Sequence, residues 1–431
     1  MLLLALLYLA ALLIVPFYIG PEVAQNAQIN AERVLLILLA ASIFTKYNFA
    51  IVRDGLSTLA RERALLLSVV TLFFAFRLLT AFVSPHSVSV LIVLNEIASN
   101  LLVFVVFFSL FLKFDLRREI ELVLSIGVVV MFLVTLFELA AGYNPLTQFA
   151  PANAGSAINS ADMQRDGFLR VKATFEHGLT LGHAIVMILP FFLFVSRMPG
   201  LYRYSMIAML LLMAMFTGSR TSILLAIAEV GLAFVILAPQ LRFGNQTVST
   251  RTLALGLAGI SLIVAVGIAQ SVSGKGVFES YIREAQINNG LIAIQAKPWF
   301  GYGPGPGALE ALLDGMRGVG ALRMWRANLT TVDNWYLTVL LTSGWPGLLL
   351  FVTMVGLIAK QGIDLLVTNR ILHDRLRRFG YRPVVYMAAM SVVFGLGFML
   401  TLSIFTVHPL FYLFAAWLTA AYVHTARDMV A

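Results

Sequence analysis

The sequence predicts an all-α integral membrane protein with about 12 transmembrane helices. Three observations lead there. Of 431 residues, 60% are hydrophobic and 12% are charged, whereas a soluble domain carries about 25% charge. Mean hydropathy is +0.90. Twelve apolar runs approach or reach the length needed to cross a bilayer, about 20 residues, and Lys and Arg gather on alternate loops between them. An ordinary cytosolic enzyme is excluded. The chain has no cysteine, which excludes a disulfide scaffold, a thiolate metal site and a cysteine nucleophile.

The runs are 2–19, 33–51, 64–83, 89–112, 120–141, 178–196, 204–217, 221–238, 252–272, 335–359, 384–402 and 405–424. The first lacks a basic lead-in and a small-residue cleavage site before Gly20-Pro21, so it reads as a retained helix and not a signal peptide. The seventh and eighth are short and meet at a tight turn, Thr217-Gly218-Ser219-Arg220. Loops after the even-numbered runs hold Arg53, Arg61 and Arg63, then Lys113, Arg117 and Arg118, then Arg197 and Arg203, then Arg242 and Arg251. The loop 360–383 is the richest, with Lys360, Arg370, Arg375, Arg377, Arg378 and Arg382. The positive-inside rule places these loops and both termini in the cytoplasm. The net charge of +9 therefore reads as a topology signal and an attraction to anionic membrane lipid, with no nucleic acid partner.

Two long segments, 142–177 and 273–334, are left on the outer, periplasmic side, and loops of that length are usually functional. Within the second, Leu309, Leu312, Leu313, Met316, Val319 and Leu322 recur at helical spacing. They predict an amphipathic helix over 307–326 lying on the outer membrane surface. The two segments collect Arg165, Arg170, Lys172, Lys275, Arg283, Lys297, Arg317, Arg323 and Arg326, which a solvated surface would also carry. Arg220 differs, because it ends a very apolar hairpin, where an arginine is costly and has a partner. A phosphate suits it, since the planar guanidinium fork binds phosphate oxygens two at a time. Acids also fall inside runs. Glu138 sits near an outer end and is placed to reach water. Glu96 and Glu229 lie deeper, as ready for a structural hydrogen bond as for a functional role, and Arg77 is the obvious ion-pair partner within a run.

Four local patterns follow in order: Arg170-Val171-Lys172-Ala173-Thr174-Phe175-Glu176-His177; Thr217-Gly218-Ser219-Arg220-Thr221; Arg283 followed by Lys297-Pro298-Trp299-Phe300-Gly301-Tyr302-Gly303-Pro304-Gly305; and Asp333-Asn334-Trp335-Tyr336-Leu337 followed by Ser343-Gly344-Trp345-Pro346-Gly347. Taken together, over about 170–350, they resemble the O-antigen ligase and O-antigen polymerase family of bacterial inner membranes. The resemblance implies a glycosyltransferase C-type fold. It also implies a polyprenyl-diphosphate-linked glycan as donor at the periplasmic face, and as acceptor either lipid A-core sugar or another lipid-linked repeat. Arg220 and Arg283 match the family arginines that would hold the diphosphate. Asp333 stands where many members have histidine in a His-Asn pair. That departure tilts the reading slightly towards a polymerase of surface polysaccharide, with the ligase close behind.

Glycosyl transfer from a diphosphate needs the leaving group's charge stabilised and the acceptor hydroxyl activated. The sequence has no Asp-x-Asp metal pair, and His177 and His183 are poorly spaced for one metal. The expectation is therefore no metal and no other cofactor, with Arg220 and Arg283 as the charge clamp and Asp333 acting on the acceptor. Arg170, Lys172, His177, Lys297 and Asn334 are the candidate substrate contacts. Blander readings stand beside these. The 297–307 Gly-Pro run reads as a rigid turn. Gly344 and Gly347 permit close helix packing, with a kink at Pro346. Trp299, Trp325 and Trp335 read as interfacial anchors. Asp333 could be a helix N-cap and His177 a polar helix start. Rival classes are a polysaccharide transporter or lipid flippase, against which the absence of internal repeats counts, and a peptidoglycan polymerase with an aspartate in a large outer loop.

Overall fold

The computed structural model describes the chain apart from residues 17, 21, 25, 26, 29, 86, 87, 151–163, 166, 167, 238–240, 244, 245, 249–283, 285, 316–331, 333, 372–381, 401–406 and 431. The described residues form a helical bundle. Its helices are α1 (Leu2–Ile14), α2 (Ala31–Ile43), α3 (Lys46–Glu62), α4 (Ala64–Val83), α5 (Val88–Glu96), α6 (Val103–Lys113), α7 (Arg117–Ala141), α8 (Gly178–Phe194), α9 (Gly200–Phe216), α10 (Arg220–Leu237), α11 (286–294), α12 (Pro306–Gly315), α13 (Trp335–Ile371), α14 (Arg382–Met399) and α15 (His408–Val430). A π-helical stretch, Ile97–Leu102, joins α5 to α6. Three two-stranded antiparallel hairpins qualify the all-α expectation: Glu22–Ala24 with Ala27–Gln28, Gln164–Arg165 with Phe168–Leu169, and Leu241–Phe243 with Gln246–Val248.

Helices stand at eleven of the twelve expected places, and 252–272 lies outside the described residues. Among the described residues, four helices are long and apolar enough to cross a membrane: Ala64–Val83, Ser89–Lys113, Arg117–Ala141 and Trp335–Leu365. A bent pair, Ala31–Ile43 with Lys46–Glu62, makes a fifth if it counts as one span. That pair corrects the expected straight run over 33–51, since the chain turns by 90° between its helices. The cause is the amphipathic pattern of α3. Ile51, Val52, Gly55 and Leu59 are buried on one face, and Arg53, Asp54 and Arg61 are exposed on the other. Gly55 lies directly against Ser109 of α6, leaving no room for a larger residue.

Helix α8 is the hub. It is apolar all round and buried along nearly its whole length, as a helix enclosed by others must be, and it packs on α9, α10 and α14. The pairs α13–α4 and α15–α6 extend the bundle around it. Helix α7 staples both ends of the molecule. Glu121, near its start, accepts hydrogen bonds from Ser196 Oγ (2.5 Å), the Arg197 amide (2.8 Å) and the Met198 amide (3.1 Å) where α8 ends. Glu138, near its other end, accepts from the amides of Lys172 (3.1 Å) and Ala173 (2.7 Å) just before α8 begins. The two acids are 17 residues apart, about 25 Å along a helix axis. Glu138 is fully buried, which corrects the expectation that it reaches water.

Candidate functional site

The first two sequence motifs fold into one structure at one end of the bundle. Gly218 has φ +62° and reverses the chain between α9 and α10, and a Cβ there would meet Arg170 Cγ at 3.0 Å. The Val171 amide donates to Phe216 O (3.0 Å) and Arg170 Nε donates to Thr217 O (3.2 Å). These bonds satisfy carbonyls that the end of α9 would leave open. Thr217 Oγ1 accepts from the Ser219 amide (3.1 Å), and Ser219 Oγ caps α10 by accepting from the Ser222 amide (3.2 Å). Gly178 closes the contact, because a Cβ on it would meet Thr217 O at 2.9 Å and Val171 O at 3.0 Å.

Arg220 is the first residue of α10, half-buried, with no hydrogen-bond or ion-pair partner among the described residues. Lys172 is buried, and Ala173 holds a positive φ of 50°. That conformation is costly for a residue with a Cβ. It is fixed by Glu138 from one side and by the Asn144 side chain, which donates to Ala173 O (2.7 Å), from the other. Burial pulls the Lys172 ammonium pKa down, opposed by Glu138 and Glu176. His177 Nδ1 accepts from the Leu179 amide (3.0 Å) and caps α8. Burial, and then the charges of Arg170 and Lys172, push its pKa down to about 4. His177 is therefore neutral near pH 7 and, with Nδ1 accepting, carries its proton on Nε2. The helix-start reading of His177 holds, and its other nitrogen is left as a donor.

The third and fourth motifs form a second joint structure. Helix α13 is broken at Gly344 (φ 68°, ψ −173°), so the break falls at this glycine and not at Pro346 as expected. The backbone groups freed there are met by the Gly-Pro run. The Tyr302 amide donates to Leu341 O (2.8 Å), the Gly303 amide to Thr342 O (3.1 Å), and the Trp345 amide to Pro298 O (2.9 Å). Non-helical backbone at membrane depth survives only when satisfied by protein in this way. Gly301 and Gly344 let the two backbones touch, since a Cβ on either would lie 2.5 Å from a carbonyl oxygen of the other segment. The loop carries exposed Lys297, whose Nζ sits 5.0 Å above the Tyr302 ring. A crevice of about 270 Å³ lies between this loop and the end of α4, bounded by Thr80, Val83, Pro85, Trp299 and Phe300 among others.

Asn334 caps α13 by accepting from the Leu337 amide (3.0 Å), and Asp333, the cap expected from the sequence, lies outside the described residues. Trp335 is buried against His408 (4.6 Å) and Phe351 (6.4 Å), which corrects its reading as an interfacial anchor, whereas Trp299 is exposed. Rings link the two structures: His183 on α8 faces His408 at 6.4 Å, and His408 faces Trp335. Arg170, Lys172, His177 and Arg220 are thus gathered at the α9–α10 turn, while Lys297 lies on the loop docked at the α13 break and Asn334 stands at the start of α13. Arg283, Asp333, Trp325 and most of the sequence between α10 and α11 lie outside the described residues, as does the second half of the 307–326 helix, whose first half is α12.

Residues 205–352 match the sequence family described as O-antigen ligase. That stretch of the chain is similar to this family. The matched region takes in the α9–α10 turn with Arg220, the docked 297–303 loop, the Asn334 cap and the break in α13. No curated protein matches the chain. The membrane-capable helices among the described residues fit a multi-pass membrane protein.

Proposed function

We propose that the chain is a periplasmic-face glycosyltransferase of the bacterial inner membrane, with twelve spans in a glycosyltransferase C-type arrangement and both termini cytoplasmic. It transfers a polyprenyl-diphosphate-linked glycan to a sugar hydroxyl. The observation that supports this most is Arg220. It is half-buried and unpartnered among the described residues. It stands at the positive end of α10, with Arg170, Lys172 and the donor side of His177 beside the same turn. Such a place suits a dianionic leaving group. Arg283 completes the clamp in this reading.

In the reaction, the acceptor oxygen attacks the anomeric carbon from the face opposite the diphosphate. The bond from that carbon to the diphosphate breaks, its electron pair leaves with the diphosphate, and the configuration inverts. Asp333 takes the acceptor proton. The arginines stabilise the departing charge, which is the role a metal ion plays elsewhere. Polymerase and ligase share this step and differ in acceptor. Asp333 in place of the family histidine favours the polymerase, and the matched family's description favours the ligase. A deletion strain separates them. Loss of long chains from the lipid carrier identifies a polymerase, and long carrier-linked chains that never reach lipid A identify a ligase. Unaltered glycans in both pools would refute the transferase reading.

A further inference from the structure

Another arginine stands beside the break in α13, and the chemistry above does not use it. Arg77 on α4 is fully buried. Its Nε and Nη2 donate to Glu96 Oε2 (2.7 Å) and Oε1 (2.6 Å), a two-pronged pair across to the end of α5. Its remaining nitrogen, Nη1, donates to Thr342 Oγ1 (2.9 Å) and Ser343 Oγ (3.1 Å). Those hydroxyls belong to the last two residues before the break in α13. A buried ion pair gains little net stability over a well-packed apolar pair. What this one adds is a fixed position, since Glu96 orients the guanidinium so that its third corner meets the helix break.

The first part of α13, the short half-helix 335–343 before the break, is nine residues long, too short to hold a helix by itself, and the break uncouples it from the rest of α13. Its position is therefore set by its neighbours. The Asn334 cap stands at one end, and the 297–303 loop, with Lys297, is docked at the other. We infer that Arg77, oriented by Glu96, is a positioning residue that locks this half-helix and its docked loop in place through the Thr342 and Ser343 hydroxyls. What the half-helix presents to substrate rests on the transferase reading, whereas the lock itself does not.

The test uses the full-length protein with Thr342→Val and Ser343→Ala together, which leaves the Arg77–Glu96 pair in place. Hydrogen–deuterium exchange reads the lock without any activity. The Tyr302, Gly303 and Trp345 amides should exchange about tenfold faster or more, with α8 amides unchanged. With lipid-linked donor, kcat should fall about tenfold or more while donor KM stays within about twofold. Thr342→Ser, which keeps both hydroxyls, should behave as wild type in both measurements. Unchanged protection of the three amides would overturn the lock, whatever the activity. Faster exchange with unchanged kcat would overturn the positioning role while leaving the transferase reading untouched. Should the double variant fail to fold, Ser343→Ala alone is read by the same two measurements, with smaller changes expected in the same direction and unchanged values overturning the inference.

Discussion

Glu138 and His177 show how single residues set up the candidate site. Glu138 fixes the Lys172 and Ala173 amides, and with them the route of the chain into α8. His177 caps that helix and is held neutral, its pKa near 4 against an ordinary 6.5. Between those values the unfolded chain binds a proton that the folded one does not, so stability falls as pH drops from about 6.5 to about 4. The thermal midpoint of the wild type in detergent should fall across that window. His177→Asn, which can still cap, should show a flatter profile, and parallel profiles would remove the effect. Because Asn334 does the capping, Asp333→Asn should leave folding alone, while losing the base should slow turnover on the order of 10²- to 10⁴-fold. Near wild-type turnover would take Asp333 out of the mechanism.

Among the elements, the break in α13 carries the clearest demand. Gly344 has a positive φ, and a Cβ there would press on Pro298 O and the Trp299 backbone. Gly344→Ala should therefore lower the unfolding free energy by about 1–3 kcal/mol or more. Gly356→Ala, in the same helix with open space around it, should be neutral or gain up to about 1 kcal/mol. Thermal unfolding of the two variants checks this, and equal midpoints would contradict it. The sequence announced both halves of this joint separately, as a Gly-Pro turn at 297–307 and a kink near 344–347. Nothing local said that they meet, because the hydrogen bonds join positions some forty residues apart and depend on φ values that only the docked backbone requires. The 217–220 turn was legible because Gly and a cap residue fall together between apolar runs. The roles of Glu121 and Glu138 were not, since a carboxylate near the end of an apolar run reads equally well as one reaching water. Arg77 and Glu96 were legible as a pair from the cost of charge inside a membrane, but not their reach to Thr342 and Ser343.

Across the whole chain, the proposed reaction needs the α9–α10 turn, the 142–177 and 273–334 segments and the start of α13 on the periplasmic side, with 360–383 opposite. The chain has no cysteine, so each introduced thiol is unique. Gly315→Cys should react with an impermeant thiol reagent in intact spheroplasts and Thr368→Cys should not. The reverse pattern would invert the topology and the site with it.

The central claim is that arginine forks, without a metal, stabilise the departing diphosphate. Its most direct measurement is the turnover of lipid-linked donor by purified wild type and Arg220→Lys, each in excess chelator. Lysine keeps the charge and loses the fork. The account predicts full wild-type activity in chelator and a loss on the order of 10²-fold or more in Arg220→Lys, about 3 kcal/mol of transition-state stabilisation. Wild-type activity that vanished in chelator and returned only with magnesium or manganese, or an Arg220→Lys variant that turned over normally, would contradict it.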